Sequence, residues 1–234
     1  MILILGGTTE GRLAVKVADE AGSPYYYSTR GIQQEIACRN GIHLTGGMDV
    51  EAMTSFCIHH QIRLLVDAAH PFAVGLHQTV HETAIRLNLP VVRVERSYPE
   101  RSTDIVWCED YEDAVRQLEK DRIHSLLSLT GVQTIGKLRG YWVKHPCWFR
   151  ILKRDESLAL ARSQGFDEQR IVYYQAEDEE SLLKRLTPQA ILTKESGETG
   201  GFQQKIDAAR MLGIPVYVVK RPSLPDSFMN VTGE

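Results

Sequence analysis

Short apolar runs alternate with longer amphipathic stretches along almost the whole chain, and that rhythm predicts strands and helices in alternation. Residues 2–5 form a compact branched run followed by glycine. Residues 10–21 place Leu13, Val17 and Ala21 on one helical face. The same reading predicts strands at 25–29, 43–45, 64–67 and 91–95, with helices at 49–59 and 73–87. A strand at 105–108 and a helix at 112–121 then close the first half, and the polar Lys120-Asp121-Arg122 reads as a linker. A second cycle predicts strands at 125–129, 141–144, 148–151, 171–175, 190–193 and 216–219. Its helices fall at 157–164, 179–186 and 203–212. Gly213 and Pro215 stop the last helix, and the tail after Pro222 reads as irregular. The pattern is that of an α/β protein with parallel, doubly wound sheets. It predicts two lobes, residues 1–122 and 123–234, with a cleft between them.

Bulk properties narrow the partners. The 234 residues carry a formal net charge of −3, and no Lys/Arg run marks a nucleic-acid face. Cys38, Cys57, Cys108 and Cys147 are scattered without metal spacing, which reads as reduced thiols in a cytoplasmic protein without a metal. No signal-like opening and no membrane-length apolar run is present. The sequence lacks G-x-S-x-G, H-E-x-x-H and Walker A patterns, which speaks against serine hydrolysis and metal catalysis.

Candidate chemistry sits where predicted strands end. Gly6-Gly7-Thr8-Thr9-Glu10-Gly11 follows the first strand. It departs from G-x-G-x-x-G, yet glycines before a helix N-terminus build an anion site, and the two threonines add hydroxyls. The bland alternative is a tight turn with Thr as a helix cap. After the second strand, where an NAD-preferring domain usually has an acid, the chain has Ser28-Thr29-Arg30. Hydroxyls and a guanidinium suit a 2′-phosphate, favouring NADPH over NADH. The alternative is a surface arginine in a turn.

Asp67-Ala68-Ala69-His70-Pro71-Phe72 ends another strand. His70 reads either as a group touching cofactor or substrate, or as part of a helix entry in which Asp67 bonds backbone. Thr193-Lys194-Glu195-Ser196-Gly197-Glu198-Thr199-Gly200-Gly201 leads from a strand into a helix and reads as a second anion loop. Thr130-Gly131 opens the second lobe's first loop. Arg93, Arg96, Lys144, His145, Arg150, Lys153 and Arg154 stand near strand ends and, as a group facing the cleft, would suit an acidic substrate.

Four stretches together resemble the precorrin-6A reductases of cobalamin biosynthesis, including the cobalt-precorrin-6A reductases. They are residues 4–10, residues 67–73, Arg150-Ile-Leu with Glu156-Ser-Leu-Ala-Leu-Ala161, and residues 193–202 with Ala208-Ala-Arg-Met-Leu-Gly-Ile-Pro215. The resemblance implies two Rossmann-like lobes and reduction of one macrocycle double bond by a reduced nicotinamide, with hydride to ring position 19 and a proton to position 18. It implies cofactor contacts at Gly6, Gly7, Thr8, Thr9, Glu10, Ser28, Arg30 and Asp67. Substrate contacts are expected at Thr130, Gly131, Arg150, Ser196, Gly197, Gly200 and Gly201. Lys194 and His70 are the candidates for anchoring the acidic tetrapyrrole or delivering the proton. Hand-over to corrin-pathway methyltransferases is the expected partnership. Three departures stand out: Ala176-Glu177-Asp178 where relatives often have Gly-Pro-Phe, Ser97-Tyr98-Pro99 after Glu95-Arg96, and Ala69 before His70. A two-lobed dinucleotide sensor without turnover, or a transferase using a nucleotide-linked donor, are the competing classes.

Overall fold

The computed structural model describes residues 1–31, 36–174 and 176–232. The chain divides into two compact units, residues 1–97 with 222 onward, and residues 98–221. The first unit contains β1 (Ile2–Leu5), α1 (Thr9–Glu20), β2 (Tyr25–Thr29), β3 (Gly41–Thr45), α2 (Val50–His59), β4 (Leu64–Asp67), α3 (Val74–Leu87) and β5 (Val91–Glu95). It is completed by β12 (Met229–Thr232) from the far end of the chain. The strands run β3-β2-β1-β4-β5-β12, and every pairing is parallel.

The second unit contains β6 (Val106–Cys108), α4 (Tyr111–Lys120), β7 (Leu126–Ser128), α5 (Arg139–Trp142), β8 (Cys147–Ile151) and α6 (Asp155–Ser163). It continues with β9 (Ile171–Tyr173), α7 (Glu179–Leu186), β10 (Ala190–Lys194), α8 (Phe202–Met211) and β11 (Val216–Val219). Its sheet runs β9-β8-β7-β10-β11-β6, again with parallel pairings throughout. Both sheets therefore have the 3-2-1-4-5-6 order of a dinucleotide-binding fold. In each, the sixth strand comes from the other side of a chain crossing. β6 precedes the second unit's other strands, and β12 follows all of them.

The apolar runs read from the sequence are buried on both sheet faces, as parallel strands require. In β1, Leu3 and Leu5 pack with Met53, Leu65, Val80 and Val91, while Ile4 packs with Val15, Tyr25, Tyr27 and Val66 on the other face. Leu127, Ile191, Val216 and Val218 pack with Phe202 and Ile206 of α8 in the second unit. Helix starts are fixed by acids. Asp49, Asp110 and Asp178 accept from the backbone N–H groups of Ala52, Asp113 and Ser181 at 2.7–2.9 Å, each worth about 1 kcal/mol.

The structure differs from the sequence expectations in five places. The expected boundary at 122/123 differs from the observed division, because β6 pairs with β11, Tyr217 opposite Val106, and carries α4 into the second unit. The Lys120–Arg122 stretch is accordingly the turn that ends α4, with Arg122 at φ 56°, and no linker. Residues 141–144 do not form a strand: Tyr141 lies in α5, its hydroxyl donating to Ile123 O, and Trp142 Nε1 donates to Ile135 O within the same turn structure. The tail is not wholly irregular, since β12 pairs with β5 and lies fully exposed on its outer side. The strand expected at 171–175 ends at Tyr173, and Gln175 lies outside the described residues.

Candidate active site

In an open parallel sheet, the strand order reverses at one point, and the loops on either side of it form the ligand crevice at the carboxyl ends. In the first unit, that point falls between β1 and β4. In the second, it falls between β7 and β10. The four loops singled out from the sequence are the four that leave these strands.

In the first unit, Leu5 pairs with Asp67, so the glycine turn and the 68–73 loop emerge side by side. Gly6 is required by packing, because a Cβ there would overlap the Tyr27 ring. Gly11 is required for the same reason, lying 2.9 Å from Gly6 Cα at its Cβ position. Gly7 has φ +95° and open space over its Cα. Its N–H donates to Tyr27 OH at 2.9 Å. The Thr8 hydroxyl accepts from Gly11 N–H at 3.0 Å as the α1 cap and donates to Ala68 O at 2.6 Å. Thr9 Oγ1 accepts from Arg12 at 3.0 Å. These contacts are those of a tight turn with Thr8 as the helix cap. The backbone N–H groups of Thr8 and Thr9 meet no protein acceptor among the described residues, which leaves donors at the helix start.

Three residues expected to touch cofactor have internal roles. Glu10 is buried and accepts from Arg96 Nη2 at 2.6 Å. Ser28 is buried at the end of β2, its carbonyl accepting from Gly6 N–H at 2.9 Å. Asp67 is fully buried. Its Oδ1 accepts from Arg93 Nη1 at 2.9 Å and Ala69 N–H at 3.0 Å, and its Oδ2 lies 2.6 Å from His77 Nδ1. Burial would raise its pKa, but the His77 hydrogen bond and charge, then Arg93, hold it below the ordinary carboxylate range. His77 Nε2 also reaches His70 O at 3.1 Å, and Arg93 Nη1 donates to Ala69 O at 2.9 Å. Both His77 ring nitrogens face oxygens, one of the Asp67 carboxylate and one of the His70 backbone. Asp67, His77 and Arg93 together pin the loop that carries His70. His70 Nδ1 accepts from Phe72 N–H at 3.1 Å, which leaves the proton of the neutral ring on Nε2. Arg30, by contrast, is exposed and has no protein partner among the described residues.

In the second unit, Ser128 Oγ, Thr130 Oγ1 and Thr134 Oγ1 form a buried hydroxyl chain at 2.7 and 2.5 Å, and Gly131 turns the chain at φ +85°. Gly197 and Gly201 adopt φ of +70° and +65°. Gly200 O accepts from Ser196 Oγ at 3.3 Å and from Lys205 Nζ at 3.0 Å. Lys205, on α8, is buried and escaped the sequence reading. Burial, then the charges of Lys205 and Lys137, brings the Lys194 ammonium down to about 8. Burial likewise brings Lys205 down to about 8, Glu179 opposing and Arg150 adding.

Several members of the expected cationic group are engaged within their own unit. Arg150 is buried, donating to Glu179 Oε1 at 2.8 Å and to the carbonyls of Tyr174 and Glu177 at 3.2 and 2.5 Å. It braces the Ala176–Asp178 loop and does not present itself to solvent. Arg93 and Arg96 are buried in the first unit's ion pairs. Lys144 and His145 precede β8 and pair with Glu119, which places them at the amino edge of the sheet. Among the described residues, no cluster of His, Cys, Asp and Glu could hold a metal, and no helix is long and apolar enough to cross a membrane.

The family described as precorrin-6x reductase CbiJ/CobK matches residues 1–233. The chain belongs to that family. A precorrin-6A reductase of Rhodococcus erythropolis is 30% identical over 239 residues, covering 96% of this chain and 90% of the relative. A cobalt-precorrin-6A reductase of Methanothermobacter thermautotrophicus is 28% identical over 248 residues, covering 100% and 78%. A solved structure titled CobK precorrin-6A reductase superimposes with a TM-score of 0.78 at 22% identity, over 98% of this chain and 91% of that one, a likeness of fold. In this CbiJ/CobK chain, His77 and Lys205 are the site residues that sequence reading missed. Neither belongs to a spacing motif. His77 and Lys205 sit within helices whose periodicity marks only the buried side.

Proposed function

We propose that this chain reduces precorrin-6A, or its cobalt form, to the corresponding precorrin-6B at the expense of a reduced nicotinamide cofactor. The observation that carries the reading is the placement of two glycine-rich anion loops at sheet switch points in a chain that belongs to this reductase family. The glycine turn after β1 would hold the pyrophosphate on the N–H groups of Thr8 and Thr9. Arg30, exposed after β2 with no acid beside it, favours a 2′-phosphate and hence NADPH over NADH. Bound there, the nicotinamide supplies the hydride. The Lys194–Gly201 loop would receive carboxylates of the macrocycle, with Thr130 and Gly131 alongside.

Lys194 holds a proton on Nζ that it can release near neutral pH, as a general acid requires. His70 offers its Nε2–H from a loop pinned by His77 and Arg93. We assign proton delivery to Lys194 and substrate anchoring to His70. The rest of catalysis is positioning of donor and acceptor. The four cysteines are free thiols, which supports a reducing compartment such as the cytoplasm.

The test is anaerobic mixing of the protein with NADPH or NADH and precorrin-6A or its cobalt form, following the reduced-nicotinamide absorbance. Oxidation that depends on the tetrapyrrole, faster with NADPH, is expected. Cofactor binding without oxidation with either tetrapyrrole would leave a dinucleotide sensor as the better reading.

A further inference from the structure

Glu195 directly follows Lys194 at the carboxyl end of β10, yet its side chain is only 2% exposed. Its carboxylate accepts from Arg101 Nε and Nη2 at 3.0 and 2.9 Å. It also accepts from Arg221 Nη1 at 2.8 Å and Arg221 N–H at 2.9 Å. Burial works against ionisation, but the Arg101 and Arg221 contacts hold its pKa below the ordinary value. One carboxylate shared by two guanidiniums leaves a surplus positive charge.

Both guanidiniums remain open to water, at 45% and 36% side-chain exposure. Both are also held by aromatic rings. Arg101 Cζ lies 5.4 Å from the Trp107 centroid, and Arg221 Cζ lies 3.7 Å from that of Tyr98. Arg101 Nη1 and Arg221 Nε and Nη2 meet no protein acceptor among the described residues. Neighbouring acids are engaged elsewhere: Glu109 accepts from Lys220, and Asp104 from Arg210. An ordinary exposed ion pair contributes little and orders little. Here a buried carboxylate fixes two half-exposed forks and aims their remaining donors away from itself.

We propose that Arg101 and Arg221, held in place by Glu195, bind a carboxylate side chain of the tetrapyrrole beside the Lys194 loop. The inference rests on the reductase reading above. A planar guanidinium edge matches a carboxylate bidentately. A pre-oriented side chain also loses less freedom on binding than a mobile one. Neither arginine belongs to a motif, and Arg221 falls between the last predicted strand and the tail after Pro222.

Arg101→Gln, Arg221→Gln and the double variant test this, with Arg101→Lys and Arg221→Lys as charge-keeping controls. The KM for precorrin-6A should rise about tenfold in each Gln variant, the loss of a charge-assisted hydrogen bond. Cofactor affinity should stay unchanged, and the Lys variants should recover part of the loss. The dependence of KM on salt should become shallower in the Gln variants, a change that altered packing alone would not produce. Folded Gln variants with unchanged KM and unchanged salt dependence would overturn the proposal while leaving the reductase reading intact. If the unaltered protein shows no tetrapyrrole-dependent oxidation, the reductase reading fails. Binding of an octacarboxylate porphyrin then decides the site separately: equal affinity of the unaltered protein and the double variant overturns it, and loss in the double variant supports it.

Discussion

The Thr8 hydroxyl donates to Ala68 O at 2.6 Å while accepting from Gly11 N–H at 3.0 Å. One side chain therefore caps α1 and ties the loop after β1 to the loop after β4. Thr8→Ala should lower stability by about 1 kcal/mol through the lost cap and should also weaken nucleotide binding. Thr8→Ser should restore both. Denaturant unfolding and nucleotide titration measure the two effects separately, and full nucleotide affinity in Thr8→Ala would confine the residue to capping.

Asp67 is the buried anion that faces the Arg93 guanidinium and hydrogen-bonds His77 in a dry interior. Asp67→Asn leaves those groups without their anion and should cost about 3–5 kcal/mol. The pH dependence follows from the sign of the shift. A carboxyl held below its ordinary value contributes stability that is complete above that value and lost as pH falls toward the lowered one. Acid unfolding curves should show that component in the unaltered protein and not in Asp67→Asn.

Arg30→Ala should weaken NADPH about tenfold, as loss of a charge-assisted contact predicts, and NADH much less. Parallel titrations with the two nucleotides check it. Equal losses would remove the 2′-phosphate role.

Lys194→Ala should lower kcat by about a hundredfold or more, the usual contribution of a positioned acid, with cofactor affinity nearly intact. Activity that needs the Lys194 proton should fall as pH rises through about 8. The charge of Lys205 is one cause of that low value, so Lys205→Met should move the falling limb to higher pH. Lys205→Arg should leave it in place. A pH–rate profile that is flat through this range would assign the proton to another group.

Gly6→Ala should destabilise by about 1–3 kcal/mol, as overpacking does. Tyr27→Phe should not relieve it, because the overlap is with the ring carbons as well as the hydroxyl.

Most of the strands and helices, and the four loops at the switch points, were legible because periodicity and glycine placement are local signals. The roles of Asp67 and Arg150 were not, since each depends on partners 10 to 29 residues away, such as His77, Arg93 and Glu179. Their positions at strand ends suggested ligand contact, whereas burial turned them into braces. The unit boundary was hidden for a similar reason. β6 has three residues, and nothing in Val106-Trp107-Cys108 says which sheet it will join. β12 alternates apolar and polar as Met229-Asn230-Val231-Thr232, but over four residues only and with every side chain exposed, so no buried run marks it as a strand.

The exchanged sixth strands set an order on biosynthesis. The second unit is contiguous, residues 98–221, so every strand of its sheet has been made before β12 exists. The first unit's opening strands leave the ribosome earlier but must wait for residues 229–232 to cover the edge of β5. Folding during synthesis normally proceeds from the amino terminus. In this chain the later-made unit is the first that can be finished, and the nascent first sheet carries an open β5 edge until residues 229–232 have been made.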